Sequence, residues 1–345
     1  MHVKFLAAAL LSVFAVACGT PRRFEFEERA MGTLFRVVVH AESAEAAQRG
    51  ASAAFARIHE LDQRMSDYLE SSELSNVSAS AGSGRACALS EDLWRVLALA
   101  QSFSEASAGA FDVTAGPLID LWRRARRQGE LPSATRLELA LARVGWRALE
   151  LDPVAHTATL ARGGMKLDLG GIAKGYAVDA ALDVLAEHGL ESALVVGGGD
   201  VGVRAAPPGE QGWAILIAPF EDAGQRVVLE LAHAAVSTSG DSMQALVLDG
   251  KRYSHIVDPR TGQALAARIS ATVVAADSTT ADALATTLCV LGDASGLAWA
   301  QRVGARAARI VRESENGRES SSTPSFDQLI LHAPRPRTLE RASNP

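Results

Sequence analysis

Cysteine is scarce in this 345-residue chain: Cys18, Cys87 and Cys289 are the whole complement, with no Cys-x-x-Cys pair and no Cys/His cluster. That scarcity excludes a cysteine zinc site and a thiol–disulfide exchange motif. Beyond Cys18, the remaining pair allows one disulfide in an oxidising compartment. Cys289 lies in the apolar run Ala285–Leu291, which predicts a buried, inert thiol instead. An excess of basic charge is also lacking. The net charge is −6, which argues against a nucleic-acid surface. The densest cationic run, Arg123-Arg124-Ala125-Arg126-Arg127, reads as a solvated helix face. Internal repeats are missing as well. The apolar stretch Phe5–Ala17 is broken only by Ser12 and is too short for a permanent membrane span.

That stretch follows Lys4, and together they predict an export signal over residues 1–17. It ends Ala15-Val16-Ala17-Cys18, which resembles the bacterial lipoprotein box. Lipidation of Cys18 would place the protein on the periplasmic side of a bacterial membrane, with residues 18–28 as a tether. A hydrophobic content of 48% supports a substantial core beyond it.

Periodicity predicts a strand over Leu34–His40 and a helix over Ala44–Met65, with Phe55, Ile58, Leu61 and Met65 inward. Ser71–Arg85 reads as a loop. Helices are predicted over Glu91–Ser107, 117–128 and Ala134–Val144, then a hairpin of Ala148–Leu151 with Ala158–Leu160. A helix over Ile172–His188 is followed by strands at Ser192–Val196, Trp213–Ile217, Val227–Leu231, Ala235–Ser239, Ala245–Leu248 and Ile269–Ala275. Helices at Ala281–Leu291 and Gly296–Arg302 and a strand at Ala307–Arg312 close a main domain of residues 29–312. Residues 313–345 read as a variable Ser/Pro/Arg-rich segment: a mobile loop to 325, a last strand at Leu329–Leu331 and a disordered tail. Helices gather in the first half and strands in the second, which predicts an α+β fold.

Five segments carry candidate chemistry. In Lys166–Asp179 a short strand ends on Asp168, Gly170-Gly171 follow, and a helix opens with Lys174. A helix start favours anions, so this turn points to a phosphorylated ligand. Asp282 and Thr286 are one helical turn apart and share a face, where a carboxylate and a hydroxyl suit a hard cation. His255, in the strand before the turn Asp258-Pro259-Arg260-Thr261-Gly262, is a candidate general base. Gly109-Ala110-Phe111-Asp112 offers an aromatic cover for a flat ligand, and Met31-Gly32-Thr33 with Met65-Ser66-Asp67-Tyr68 offers more surface of that kind.

The order of these motifs, joined by Gly197-Gly198-Gly199-Asp200 and Ser237-Thr238-Ser239-Gly240-Asp241, resembles the FAD:protein FMN transferases of the ApbE family. The resemblance implies a two-lobed, T-fold-like architecture with the flavin between the lobes. It implies Mg2+-dependent transfer of the FMN half of FAD to a Thr or Ser hydroxyl of an acceptor flavoprotein subunit in a membrane redox complex, with release of AMP. By position, Met31, Tyr68, Ala110, Phe111, Asp112, Asp168, Lys174 and Ile256 would contact FAD. The Gly171 carbonyl, Asp282 and Thr286 would hold Mg2+, and His255 would activate the acceptor. The alternatives within this resemblance are FAD hydrolysis to FMN and AMP, and FAD binding without catalysis. Ser242-Met243 replace a usual aromatic residue, which predicts an altered wall there.

Overall fold

The computed structural model describes residues 20–220, 226–240, 245–292, 294–314, 317–331 and 340–341. In chain order, β1 (Arg22–Ala30), β2 (Thr33–Ala41), α1 (Ala44–Met65), α2 (Glu73–Ala79), β3 (Cys87–Ala88) and α3 (Glu91–Ala106) come first. α4 (Gly116–Gln128), α5 (Ala134–Leu141), β4 (Leu149–Asp152), β5 (Thr157–Leu160), α6 (Ala173–Glu187), β6 (Ala193–Gly197) and β7 (Asp200–Val203) follow. Next are β8 (Trp213–Ile217), β9 (Val227–Leu231), β10 (Ala234–Gly240), β11 (Leu246–Leu248), β12 (Lys251–Tyr253), β13 (Arg268–Ala275) and α7 (Ser278–Leu291). The chain ends in α8 (Ala294–Arg302), β14 (Ala307–Ser314), β15 (Gly317–Ser322), α9 (Pro324–Gln328) and β16 (Glu340–Arg341).

The α+β class holds. An eight-stranded antiparallel sheet, ordered β1-β2-β6-β7-β10-β13-β14-β15, forms the body. Both of its faces are covered, which is why β2 carries the unbroken run Val37-Val38-Val39. Phe35, Val37 and Val39 alternate toward the core shared with α1, α6 and α7. Val38 points the other way, into a core with Trp213 and Ile215 of the small β16-β8-β9 sheet. A third core joins α4 and α5 to the β11–β12 hairpin, where Trp122 stacks on Tyr253 at 5.6 Å and donates to the Gly262 carbonyl at 2.9 Å. The candidate site lies between this lobe and the sheet body.

α1 occupies its predicted span because Ser43 caps it, accepting from the Ala46 N–H at 3.1 Å, and Phe55, Ile58, Leu61 and Met65 are buried. Elsewhere the structure corrects the reading. Residues 22–28 are not tether but most of β1, which pairs with β2 along its whole length and packs Phe24 and Phe26 on the core. The segment Ser71–Arg85 contains α2, capped by Ser72 and held by buried Leu74 and Val77. Residues 317–322 pair with β14 as an edge strand, and Phe326 of α9 is fully buried. Leu329–Leu331 touches β9 through a single bridge, and Glu340–Arg341 of the tail runs parallel to β8. Cys87 and Cys289 are both free thiols, Cys289 buried. The export signal, Cys18 and Asp241–Gln244 lie outside the described residues.

Candidate active site

The site is built where chain segments approach closely enough to exclude side chains. The expected strand ending on Asp168 does not form: Lys166 makes a single parallel bridge to Ala115, and the Asp168 N–H donates to the Val113 carbonyl at 2.8 Å. A Cβ on Gly116 would come within 2.6 Å of the Lys166 carbonyl oxygen, so only glycine fits. Asp168 then folds back to accept from the Gly170 N–H at 2.8 Å and sets the turn into α6. α6 crosses α7 at Gly175, where a Cβ would meet the Ser278 carbonyl oxygen at 2.3 Å. That crossing brings Lys174 to Asp282. Asp179, one turn further along α6, accepts from the Ser278 and Thr279 N–H groups at 2.7 and 2.8 Å and from the Thr279 hydroxyl.

The result is a cleft of about 1010 Å3. All the residues singled out in the sequence line it: Met31, Tyr68, Ala110, Phe111, Asp112, Asp168, Gly171, Lys174, His255, Ile256, Asp282 and Thr286.

At one corner Lys174 stands between two buried carboxylates, 3.3 Å from Asp282 and 3.4 Å from Asp200, and donates to the Gly170 carbonyl at 3.0 Å. Burial works against its charge, but the two carboxylates win and hold the ammonium above its ordinary range. Burial, then the charge of Asp200, pushes the Asp282 carboxyl up to about 7, against the pull of Lys174. Thr286 Oγ1 is 3.0 Å from Ser239 Oγ, and a Cβ on Gly171 would be 3.2 Å from Thr286 Oγ1. The donors gathered here are all oxygen, the set that Mg2+ prefers. Among the described residues no group of three His, Cys, Asp or Glu side chains converges as a metal site. The residues present therefore fit a hard cation sharing its shell with a ligand.

Aromatic surface borders this corner, where a Cβ on Gly171 would also lie 3.4 Å from the Phe111 ring. Phe111 is buried edge-on against Phe103 at 6.2 Å, while Tyr68 is 74% exposed with the Arg123 guanidinium 4.7 Å above its ring. Burial pushes Asp168 up to about 6, although Arg123, at 3.1 Å, pulls it down. Asp112 lines the cleft, but its oxygens accept from the Thr114 N–H and hydroxyl, both at 2.7 Å, and from the Trp146 N–H at 2.9 Å. Burial raises its pKa. Met31 has a left-handed φ of 49°, and its N–H is fixed on Asp62 at 2.9 Å. His255 is half-buried and lies beyond the end of β12, not in the strand; Ser254 and Ile256 tie its segment to Leu265.

Sequence reasoning missed several residues here. Arg124 and Arg127 are exposed as a solvated face would be, but Arg127 borders the cleft with the half-buried Arg123 and Arg126, and Arg123 pairs with Asp67 as well as Asp168. The helical spacing of Trp122 and Ala125, both buried, was the available signal that Arg123 and Arg126 lie beside the core. Asp200 was legible as part of a glycine-rich motif but not as the partner of Lys174. Its place comes from the β7–β10 pairing, which sets Ser237 Oγ 2.5 Å from its carboxylate.

Fold and cleft together define a class: an α+β protein whose inter-lobe cleft suits a phosphorylated ligand with a flat ring beside a hard cation. The ApbE family model matches residues 31–310, and the chain belongs to that family. It is 33% identical over 288 residues to the FAD:protein FMN transferase of Treponema pallidum, covering 79% of each chain. It is 31% identical to the protein of the same name from Haemophilus influenzae, over 79% of this chain and 81% of that one. Among solved structures, the apo flavinyl transferase ApbE of Pseudomonas stutzeri aligns with a TM-score of 0.80 at 32% identity, covering 90% of this chain and 98% of that one. The ApbE protein of Thermotoga maritima aligns at 0.79 with 29% identity, over 90% of this chain and 100% of that chain.

Proposed function

We propose that this chain is an FAD:protein FMN transferase, moving the FMN half of FAD onto a Thr or Ser hydroxyl of an acceptor flavoprotein with release of AMP. The observation that carries the reading is the Lys174 corner. There an ammonium, an oxygen-donor cation set and a helix start converge in a cleft whose wall also carries Phe111 and Tyr68. The names of the relatives supply the direction of transfer.

The chemistry needs what these residues offer. The acceptor oxygen attacks the FMN phosphorus, the bond from that phosphorus to the AMP oxygen breaks, and the hydroxyl proton must leave. His255 receives that proton. Lys174 neutralises charge on the pyrophosphate oxygens. Asp282, Thr286 and the Gly171 carbonyl would hold Mg2+, which when bound would supply further charge neutralisation. Phe111, Tyr68, Met31 and Ile256 pack on the flavin, and Ala110, Asp112 and Asp168 border it. The acceptor is a flavoprotein subunit of a membrane redox complex.

Incubation of the full chain with FAD, Mg2+ and a candidate acceptor domain tests this by intact mass. Acceptor carrying one FMN, with one AMP formed per transfer, is the expected result. FMN and AMP formed with an unmodified acceptor would replace transfer by hydrolysis.

We also propose export and lipidation at Cys18. Cys18→Ala should then move the protein from the membrane fraction to the soluble periplasmic fraction; identical fractionation would leave simple secretion.

A further inference from the structure

Thr33 opens β2 directly after the left-handed Met31-Gly32 turn, lines the cleft, and is 5% exposed. Its Oγ1 is buried and has no hydrogen-bond partner among the described residues. The other aliphatic hydroxyls on the cleft wall are engaged. Ser66 accepts from the Tyr68 and Leu69 N–H groups, Thr238 bonds Thr272, and Ser239 bonds Thr286. Ser270 and Ser278 also carry unpartnered buried oxygens, but neither lines the cleft. An unsatisfied buried hydroxyl destabilises a fold, and valine has the same shape without the oxygen. A hydroxyl kept at this position therefore points to a partner that arrives from the cleft.

The surroundings identify that partner's chemistry. Thr33 faces the Gly198-Gly199 turn between β6 and β7. A Cβ on Gly198, whose φ is +63°, would lie 3.5 Å from Thr33 Oγ1 and 3.5 Å from Lys174 Cε. The hydroxyl and the lysine arm thus close on one patch of bare backbone. A threonine hydroxyl has a proton to donate, and its strongest acceptors are charged oxygens. We propose that Thr33 is a further substrate-binding residue, donating its hydroxyl hydrogen to a phosphate oxygen of the nucleotide beside Lys174.

This assignment rests on the FAD reading above, and the test separates the two. FAD dissociation constants and ligand-free melting temperatures are measured on the full chain for wild type, Thr33→Val and Thr33→Ser. Thr33→Val should weaken FAD binding by about 10-fold or more, the usual worth of a hydrogen bond to a charged group. Its ligand-free melting temperature should equal or exceed the wild type's, because the unsatisfied hydroxyl is gone. Thr33→Ser should restore most of the FAD affinity. Unchanged affinity in Thr33→Val would overturn the assignment and leave a water as the hydroxyl's partner. Weaker binding together with a lower ligand-free melting temperature, not rescued by serine, would overturn it in favour of packing. A wild-type chain that binds no FAD would remove the functional reading itself.

Discussion

At Asp282 the proposed cation site sets two demands against each other, because the carboxylate would need to be charged to hold a cation yet is buried beside Asp200. Its pKa is raised from an ordinary 3.8 to about 7. The stability this contributes to the metal-free fold is complete below about pH 4 and is lost as pH rises through about 7. Asp282→Asn cannot titrate. Its metal-free melting temperature should therefore gain on the wild type as pH goes from about 5 to about 8, while turnover is abolished. A constant difference across that range would refute the electrostatic account. His255 should behave differently. His255→Ala should keep the FAD dissociation constant within a few-fold and slow single-turnover transfer by ~10²–10⁴, the worth of a general base. Transfer at the wild-type rate by a folded, FAD-binding variant would take His255 out of the mechanism.

Among the elements, α7 is the one whose placement decides the site, and it is capped twice. Its own Asp277 accepts from the Thr280 N–H at 2.7 Å, and Asp179 reaches across from α6 to take two more. Burial pushes Asp179 up to about 6, against those hydrogen bonds. Asp179→Ala should cost about 0.5–2 kcal/mol, as the loss of a cap does. It should also weaken Mg2+ binding more than FAD binding, since α7 carries Asp282 and Thr286. Equal losses for both ligands would argue against a positioning role. α7 and α6 were legible because their apolar and small residues recur at helical spacing and the motif residues fall within them. α2 was not, since its serines read as a loop until burial of Leu74 and Val77 decides otherwise. β7 escaped because its four residues follow a glycine turn, and β15 because Ser320–Ser322 favour a loop locally. Pairing with β10 and β14, a long-range effect, overrides that preference. The site was legible for a related reason: its glycines and charges serve local geometry. Arg123 and Asp200 acquire their roles only through tertiary contacts.

For the whole molecule, the sheet is sealed late in the chain. Phe326 of α9 is fully buried among Val38, Val236, Ile215 and Leu229, strands drawn from both sheets. Phe326→Ala should destabilise the protein by about 3–5 kcal/mol in denaturant unfolding; a loss under about 1 kcal/mol would show that this C-terminal segment is dispensable. The start of the chain has a different consequence. β1 begins at Arg22, leaving three residues between it and Cys18, and ends at the turn whose Met31 borders the cleft. Three residues reach at most ~10 Å, and a nine-residue strand spans ~30 Å. In a chain anchored at Cys18, β1 is a rigid boom: its foot is moored at the bilayer and its tip carries the mouth of the cleft. If Cys18 is lipidated as proposed, the cleft would be held within about 40 Å of the membrane. An acceptor hydroxyl carried higher than that must bend down to be served, and lengthening the linker before Arg22 would raise the ceiling.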